Sequence, residues 1–450
     1  MKIVIIGGVA AGAKTGAKTK RMLPDAEVHI YTKDNFVSYS ACGMPYYIAG
    51  DFQDWQKLIV RTKEEFEKNG INIHTREEVT KILPTDKKIV VKPLDKDEWN
   101  FIEYDKLVIA TGAVANIPDF ANKNSEKIYT LRTLDDGIAI KEGMKNAEHI
   151  TIVGGGYIAI ELIEAFIKNQ KHVTLIENST FILSMLDEDI SSLVQNYILE
   201  NSNNLVKIIN NDTVNEIVGK SPKLDIITEK GYGFESDMVI VSAGVKPAVD
   251  IAKDAGIELG VTGAIKVNSR METNIKDIYA CGDCAEKINM ISHTPVWIPL
   301  GSTANKEGRV TAINLSGGVE DFEGVLGSAV LRYRSLNISK TGLTEKDALK
   351  LGYDAVSVVI TKRDRAGYMP EAQNITLKLI ADKRSHKILG AQAIGCGDAD
   401  KRVNTVSIGL IQGITVEELI DADLTYSPPF STSIDILIST AQILKTKLLA

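Results

Sequence analysis

Cys42 is the residue whose type and surroundings most directly suggest chemistry. It lies in the segment Val37–Tyr47, and the next cysteine along the chain is Cys281. A thiolate is a nucleophile, and the helix that we expect to start here would favour the thiolate form through its dipole. Because Gly43–Tyr47 contains no second thiol, Cys42 has no local disulfide partner. We therefore expect its oxidised form to be a mixed disulfide, a sulfenic acid or a persulfide.

A glycine-rich segment in the middle of the chain has the pattern of a dinucleotide-binding loop. Gly154, Gly156 and Ala159 fit the spacing G-x-G-x-x-A between a predicted strand and a predicted helix. Such a loop lets backbone N–H groups and a helix N-terminus meet a pyrophosphate. Glu177 ends the following strand, where an acid binds the ribose diol and repels a 2′-phosphate. The segment therefore predicts an NADH site, with NADPH as the alternative.

A less regular glycine loop lies near the start of the chain. Gly7 and Gly12 occupy the outer positions, but Val9 holds the middle one. Thr32 stands where the ribose-binding acid is expected, and its hydroxyl can still hydrogen-bond a ribose without the charge. Taken alone, this loop is weak evidence for a nucleotide.

Two βαβ units are predicted around these loops, which implies two dinucleotide-binding domains. The strands Lys106–Ala110 and Met238–Ser242 are followed by Gly112 and Gly244, near which we place the crossings between the domains. Thr273–Asp283 is predicted to return to the first domain. The two units comprise the strand Lys2–Gly7, the helix Ala10–Met22 and the strand Glu27–Thr32, then the strand His149–Val153, the helix Tyr157–Lys168 and the strand His172–Glu177.

The pattern changes near Phe322 to that of an antiparallel sheet with helices, which we interpret as a third domain. Its predicted strands are Ser328–Arg334, Tyr353–Thr361, Asn374–Ala381 and Ile388–Ile394, and its predicted helices are Asp400–Gln412 and Thr415–Asp421.

The composition excludes several classes of function. A net charge of −7 without a basic stripe argues against a nucleic-acid partner. No apolar run reaches the roughly 18 residues that a membrane span needs. Met1–Ala13 is predicted to be a strand and phosphate loop rather than a signal peptide, so we expect a cytoplasmic protein. The scattered histidines predict no metal site.

The other cysteines have several interpretations. Four cysteines in a chain of this length do not form a disulfide framework. Cys281 and Cys284 have C-x-x-C spacing, which suits either a redox pair or two packed thiols, and we favour packing. Cys396 is expected to be a core residue.

The Cys42 segment resembles the active-site segment of the single-cysteine flavoprotein disulfide reductases. That family includes coenzyme A-disulfide reductases, NADH oxidases, NADH peroxidases and NAD(P)H-dependent persulfide or polysulfide reductases. The resemblance covers the whole chain, with further matches at Tyr104–Gly112, Gly154–Glu161, Ile278–Asp283, Ile298–Gly301, Ala399–Arg402 and Tyr426–Phe430.

The resemblance implies an α/β fold with two Rossmann-like domains of the glutathione-reductase type and a C-terminal α+β dimerisation domain. The ranges implied are 1–113 and 245–321 for FAD, 114–244 for NAD, and 322–450 for a homodimer interface. Its catalytic residues would be Cys42, against the flavin, Glu161, beside flavin and nicotinamide, and Tyr426 and Tyr368, which enter the partner's active site. Cofactor-binding residues would be Gly7, Gly12, Thr32, Ser38, Thr111, Gly112, Gly154, Gly156, Glu177, Gly244 and Asp283, and substrate-binding residues Arg21, Ser38 and Arg402.

Within the family the sequence is most similar to the coenzyme A-disulfide reductases, which makes coenzyme A a possible ligand. Ala10 stands where peroxidases and water-forming oxidases carry a histidine. Ala41 and Glu371 depart from the residues that many coenzyme A-disulfide reductases have. An NADH oxidase, a polysulfide reductase and an electron-transfer flavoprotein for a protein acceptor are the alternatives.

Overall fold

The computed structural model describes residues 1–121, 127–219 and 223–449. The strands are β1 (Lys2–Ile6), β2 (Glu27–Thr32), β3 (Ile71–Thr75), β4 (Glu77–Leu83), β5 (Lys88–Pro93), β6 (Asn100–Glu103), β7 (Lys106–Ile109), β8 (Ala113–Ala115), β9 (Ile128–Tyr129), β10 (His149–Val153), β11 (His172–Glu177), β12 (Val206–Asn210), β13 (Val214–Val218), β14 (Leu224–Thr228), β15 (Gly233–Ser236), β16 (Met238–Val241), β17 (Val245–Pro247), β18 (Ile278–Ala280), β19 (Lys287–Ile288), β20 (Pro295–Val296), β21 (Ala329–Tyr333), β22 (Leu336–Gly342), β23 (Ala355–Arg363), β24 (Asn374–Asp382) and β25 (Ile388–Gly395). The helices are α1 (Ala11–Met22), α2 (Met44–Ala49), α3 (Lys63–Lys68), α4 (Leu134–Met144), α5 (Tyr157–Lys168), α6 (Glu188–Glu200), α7 (Asp250–Asp254), α8 (Gly301–Leu315), α9 (Glu345–Lys350), α10 (Ala399–Gln412), α11 (Val416–Ile420) and α12 (Ile436–Leu449).

The first sheet is parallel and has the strand order β18-β7-β1-β2-β3. The β-branched run of β1 is buried because α1 and α8 cover one face of the sheet and the β4–β6 meander covers the other. Strand β18 comes from a later part of the chain than β7, so two separate segments build this sheet.

The second sheet repeats the arrangement, with the strand order β12-β11-β10-β16-β9 and parallel pairing. Helix α5 follows β10 directly and is apolar on most of its surface, and it packs between the sheet and α2. Strands β8 and β17 pair with each other where the chain passes between the first and second sheets.

The third sheet is antiparallel, with the order β21-β22-β25-β24-β23. Helices α10 and α12 pack on it and share its hydrophobic core. The fold class is therefore the predicted one, two Rossmann-like α/β units and a C-terminal α+β unit. Within the described ranges, no helix combines the length and the apolar character that crossing a membrane requires.

Candidate active site

The first glycine loop joins β1 to α1 and lies against the end of β7. Gly7 has φ of 105°, and a Cβ at this position would lie 2.1 Å from the Ala110 carbonyl oxygen. A Cβ on Gly12 would lie 1.9 Å from the Gly7 oxygen. Both positions require glycine because strand, loop and helix approach so closely. Ala10, the N-cap, makes no side-chain capping bond, so the first-turn N–H groups of α1 fit the pyrophosphate of a dinucleotide such as FAD.

The Cys42 segment is attached to this loop through Ser38. The Ser38 N–H donates to the Gly8 carbonyl at 2.8 Å, and Ser38 adopts φ of 49°, which a non-glycine residue seldom does. Gly43 lies so close to Leu58 that a Cβ would approach its Cδ2 to 2.3 Å. The segment is therefore tied to the glycine loop at Ser38, four residues before Cys42.

Cys42 lies in a single 3₁₀ turn, Ala41–Gly43, that leads into α2. Although Cys42 is exposed, the protein around the thiol desolvates its thiolate and raises its pKa. The negative charges of Glu161 and Asp283 raise that pKa further, and the Arg132 guanidinium opposes them. The pKa of Cys42 is therefore raised in this arrangement, and not lowered as its position at a helix start led us to expect.

Glu161 is the acid of α5 that faces the Cys42 region. Desolvation raises the pKa of Glu161 to about 7, and Glu164 on the same helix adds to the shift. A carboxyl with this pKa is protonated in about half of the molecules at neutral pH. Glu161 can therefore hold or release a proton close to the thiol.

Asp283 follows β18 and forms an ion pair with Arg132. The Arg132 guanidinium donates to the Asp283 carboxylate at 2.8 Å and to the Ala113 carbonyl at 2.9 Å. Gly112, with φ of 71°, lies beside Arg132, while the Thr111 hydroxyl donates to the Ala248 carbonyl at 2.6 Å. The sequence did not single out Arg132, because its partners come from distant parts of the chain.

Thr32 ends β2 with its side chain buried. Its hydroxyl oxygen accepts the Asp34 N–H at 3.2 Å, and Tyr39 donates to the Asp34 carboxylate at 3.4 Å. Burial raises the pKa of Asp34. The Asp34 carboxylate thus lies two residues beyond Thr32 and is bonded to Tyr39, and a ribose contact of Thr32 stays a prediction.

The second glycine loop has the geometry of a nucleotide site. Gly154 has φ of 98°, and a Cβ there would lie 2.4 Å from the Ser242 oxygen. A Cβ on Gly156 would meet no atom within 4 Å, so packing of the protein does not explain that glycine. The Glu177 carboxylate is buried and accepts the Gly155 and Ser179 N–H groups at 2.6 and 2.8 Å. Gly244, with φ of 85°, lies at the crossing and also has open space around it.

Tyr368 and Tyr426 belong to two surface loops of the third unit. Their exposed fractions are 75% and 53%, and neither hydroxyl has a hydrogen-bond partner in the described part of the chain. The Ala366 N–H donates to the Pro428 carbonyl at 3.2 Å, which joins the two loops. The structure therefore presents both tyrosines on one connected surface of the third unit.

Arg402 and Arg21 differ in their availability to a substrate. Arg402 is buried and donates to the Asp435 carboxylate at 2.9 Å and to the Asp364 carbonyl at 3.0 Å. These contacts join the two tyrosine loops, and a substrate contact of Arg402 stays a prediction. Arg21 is exposed in the last turn of α1, about 15 Å along the helix from the glycine loop.

Cys281 and Cys284 are both fully buried. The Cys284 thiol donates to the Ile109 and Cys281 carbonyls, and burial raises the pKa of Cys281 to about 12. These contacts favour packing over a redox pair. Cys396 is partly buried, with its sulfur 3.5 Å from the Tyr197 hydroxyl.

Comparison with known proteins agrees with this fold. Residues 1–308 match the model of the pyridine nucleotide-disulphide oxidoreductases, and residues 328–437 match the dimerisation domain of the same proteins. The NAD(P)H coenzyme A polysulfide/persulfide reductase of Pyrococcus horikoshii is 35% identical over 99% of this chain and 98% of that protein. An NADH oxidase of Methanocaldococcus jannaschii is 32% identical over 96% of each chain.

A solved structure has the same fold over almost the full length. The NAD-dependent persulfide reductase from A. fulgidus superposes with a TM-score of 0.96 at 33% identity, over 99% of this chain and 83% of that one. The fold implies binding of FAD and NAD(P)H. This chain belongs to the pyridine nucleotide-disulphide oxidoreductases, and its relatives include coenzyme A polysulfide/persulfide reductases and NADH oxidases.

Proposed function

We propose that the chain is an NADH-dependent reductase of low-molecular-weight disulfides and persulfides, with coenzyme A disulfide or coenzyme A persulfide as substrate. The observation that carries the proposal is the position of Cys42 within the influence of Glu161, Asp283 and Arg132. Cys42 forms no disulfide in the described part of the chain, so the second sulfur of each redox event has to come from the substrate. The name of the P. horikoshii relative, a coenzyme A polysulfide/persulfide reductase, supports coenzyme A as the carrier of that sulfur.

The residues of the two glycine loops divide between the two nucleotides. Gly7, Gly12, Thr32, Ser38, Thr111, Gly112 and Asp283 are proposed to hold FAD, and Gly154, Gly156, Glu177 and Gly244 to hold NADH. The buried Glu177 carboxylate favours NADH over NADPH because it would repel a 2′-phosphate. FAD, when bound, supplies two-electron transfer from NADH to sulfur.

Cys42 performs the bond exchange. Its thiolate attacks one sulfur of R–S–S–R, forms Cys42–S–S–R and releases RS⁻. Reduction of that mixed disulfide by two electrons releases the second RS⁻ and restores the thiolate. The balance is R–S–S–R + NADH + H⁺ → 2 RSH + NAD⁺. Glu161 holds a proton beside the thiol at neutral pH, and the Tyr426 hydroxyl of a second copy protonates the leaving thiolate.

A homodimer completes this site. Tyr368 and Tyr426 are exposed, their hydroxyls have no partner in the described chain, and they lie in the unit that matches the dimerisation domain. We propose that each copy places these tyrosines over Cys42 of the other. Arg21 is exposed at the far end of α1, where it suits a phosphate of an extended ligand such as coenzyme A.

Oxygen reduction is the second candidate, favoured by the NADH oxidase of M. jannaschii. It would need a sulfenic acid at Cys42, which the exposed thiol permits. Ala10 stands where peroxidases and water-forming oxidases carry a histidine, and it disfavours this alternative.

Anaerobic NADH consumption with coenzyme A disulfide as sole acceptor tests the proposal. We expect turnover in the purified flavoprotein, its loss in Cys42→Ser, and its retention in the control Cys396→Ser. Turnover that survives Cys42→Ser would refute the role of the thiol. If the protein does not turn over coenzyme A disulfide but does turn over polysulfide or oxygen, then the substrate proposed here is wrong and the accepted compound takes its place.

A further inference from the structure

Two oppositely charged side chains are fully buried behind the turn that carries Asp283. Lys287 begins β19 and Glu307 lies in α8, with side-chain exposures of 1% and 0%. The Lys287 ammonium lies 3.4 Å from a Glu307 oxygen. Burying an ion pair costs free energy that the attraction between the two charges does not fully return, so we expect this pair to have a further role.

Those contacts converge on the backbone of one residue. Glu307 accepts the Gly282 N–H at 2.6 Å, and Lys287 donates to the Gly282 carbonyl at 3.0 Å. Lys287 also donates to the Ala285 carbonyl at 2.9 Å. Both polar groups of Gly282 are therefore held by charged partners, which form stronger hydrogen bonds than neutral ones.

Gly282 needs this support because of its position. Its φ is 84°, and a Cβ would lie 2.9 Å from the Ala11 Cβ at the start of α1. Asp283 follows it directly and is one of the residues proposed to hold FAD. By holding Gly282, the buried pair thus fixes the position of the Asp283 backbone next to the first glycine loop.

We propose that Lys287 and Glu307 are positioning residues that hold the Gly282–Asp283 turn in its flavin-binding form and thereby set how firmly the chain retains FAD. The proposal rests on the assignment of Asp283 to the flavin. The proposal concerns only the retention of FAD. It can therefore be wrong even if the protein reduces disulfides, and it can be right even if the electron acceptor is not a disulfide.

The charge state of Glu307 makes the proposal testable without a variant. Burial raises the pKa of Glu307 to about 7, against the influence of Lys287, and Asp283 raises it further. The second Glu307 oxygen has no hydrogen-bond partner in the described residues, and the thiols of Cys281 and Cys284 are its other titratable neighbours. The ionised carboxylate holds the Gly282 N–H more strongly than the acid does. Retention of FAD should therefore weaken as the pH falls through 7.

The experiment is the rate of FAD release from the holoenzyme, followed by flavin fluorescence at several pH values. We expect release from the unmodified protein to accelerate several-fold between pH 8 and pH 6. Glu307→Gln should release FAD about tenfold faster at pH 8 and lose this pH dependence. Lys287→Met should also release FAD about tenfold faster, and the double variant should show less than the product of the two factors, because neither charge is then left unpaired.

Lys378→Met is the matched control. Lys378 is also buried, with 3% of its side chain exposed, and its ion pairs to Asp187 and Glu345 lie far from the flavin turn in sequence. The Lys378→Met variant should have a lower Tm than the unmodified protein, and its rate of FAD release should depend on pH in the same way. A flat profile in the unmodified protein, factors that multiply in the double variant, or the same altered profile in Lys378→Met would each overturn the proposal.

Discussion

Replacing Glu161 by glutamine should accelerate the reaction of Cys42 with an alkylating agent, and only above neutral pH. The Glu161 carboxylate raises the pKa of Cys42, so removing the charge favours the thiolate. Because the pKa of Glu161 is itself about 7, the effect follows its ionisation. Glu161 is charged in about 90% of molecules at pH 8 and in about 10% at pH 6.

The size of the effect follows from the charge. Two unit charges roughly 10 Å apart at an effective dielectric constant of about 20 interact by about 1.7 kcal/mol, or about one pKa unit. While the thiol is mostly protonated, the thiolate fraction would then rise about fivefold at pH 8 and by less than about 20% at pH 6. Iodoacetamide reacts with the thiolate, so its rate rises with this fraction, by a smaller factor because a thiolate of lower pKa is less nucleophilic.

The assay measures alkylation of Cys42 in the reduced holoenzyme by mass spectrometry of the modified peptide. A Cys396→Ser background removes the other accessible thiol, since Cys281 and Cys284 are fully buried. Glu164→Gln is the control, because Glu164 acts on the pKa of Glu161 rather than directly on Cys42. That control should not react faster than the unmodified protein at pH 8. Equal acceleration at pH 6 and pH 8, or none at either, would refute the electrostatic coupling.

Three further predictions follow from the geometry. Gly154→Ala should lower the free energy of unfolding, measured by denaturant titration, by about 1–3 kcal/mol, because Gly154 has a positive φ and its new Cβ would lie 2.4 Å from the Ser242 oxygen. Gly156→Ala should leave the free energy of unfolding unchanged and raise the KM for NADH. A stable Gly154→Ala would contradict the close-approach argument. Glu177→Ala should lower the ratio of kcat/KM for NADH to that for NADPH about tenfold, and an unchanged ratio would remove the argument for NADH. Arg402→Met leaves the Asp435 carboxylate, which is only 11% exposed, without its ion-pair partner. The free energy of unfolding should fall by about 3–5 kcal/mol, which a lower Tm would report. An unchanged Tm would exclude a structural role for Arg402.

The parts of the fold that the sequence predicted well are built from local patterns. Strand β10, helix α5 and strand β11 were predicted with their observed bounds, because a βαβ unit contains its own strand, turn and helix signals within a short stretch. The antiparallel strand β22 was missed. Its buried Ser339 and Thr341 break the apolar pattern, and hydrogen bonds to other residues satisfy both hydroxyls.

The site was predictable to the extent that its residues belong to motifs. Cys42, Glu161 and Asp283 each lie in a recognisable segment, and the structure brings their charges within mutual influence. Arg132 and Glu307 were missed because their partners lie 151 and 25 residues away in the sequence. The sequence also misjudged the Cys42 pKa, because the desolvation of a thiol depends on which distant elements fold over it.

The packing of α2 explains why Cys42 and Glu161 stay together although one follows the first glycine loop and the other the second. Met44, Tyr47 and Ile48 of α2 share one hydrophobic cluster with Ile160 and other apolar residues of α5. Ser38 fixes the other end of the cysteine segment to the Gly8 carbonyl, so the segment is held by both Rossmann-like units. A hinge motion between these units would have to break that cluster. Packing therefore holds Cys42 and Glu161 together, and we expect substrates, rather than these residues, to move between the steps of the proposed reaction.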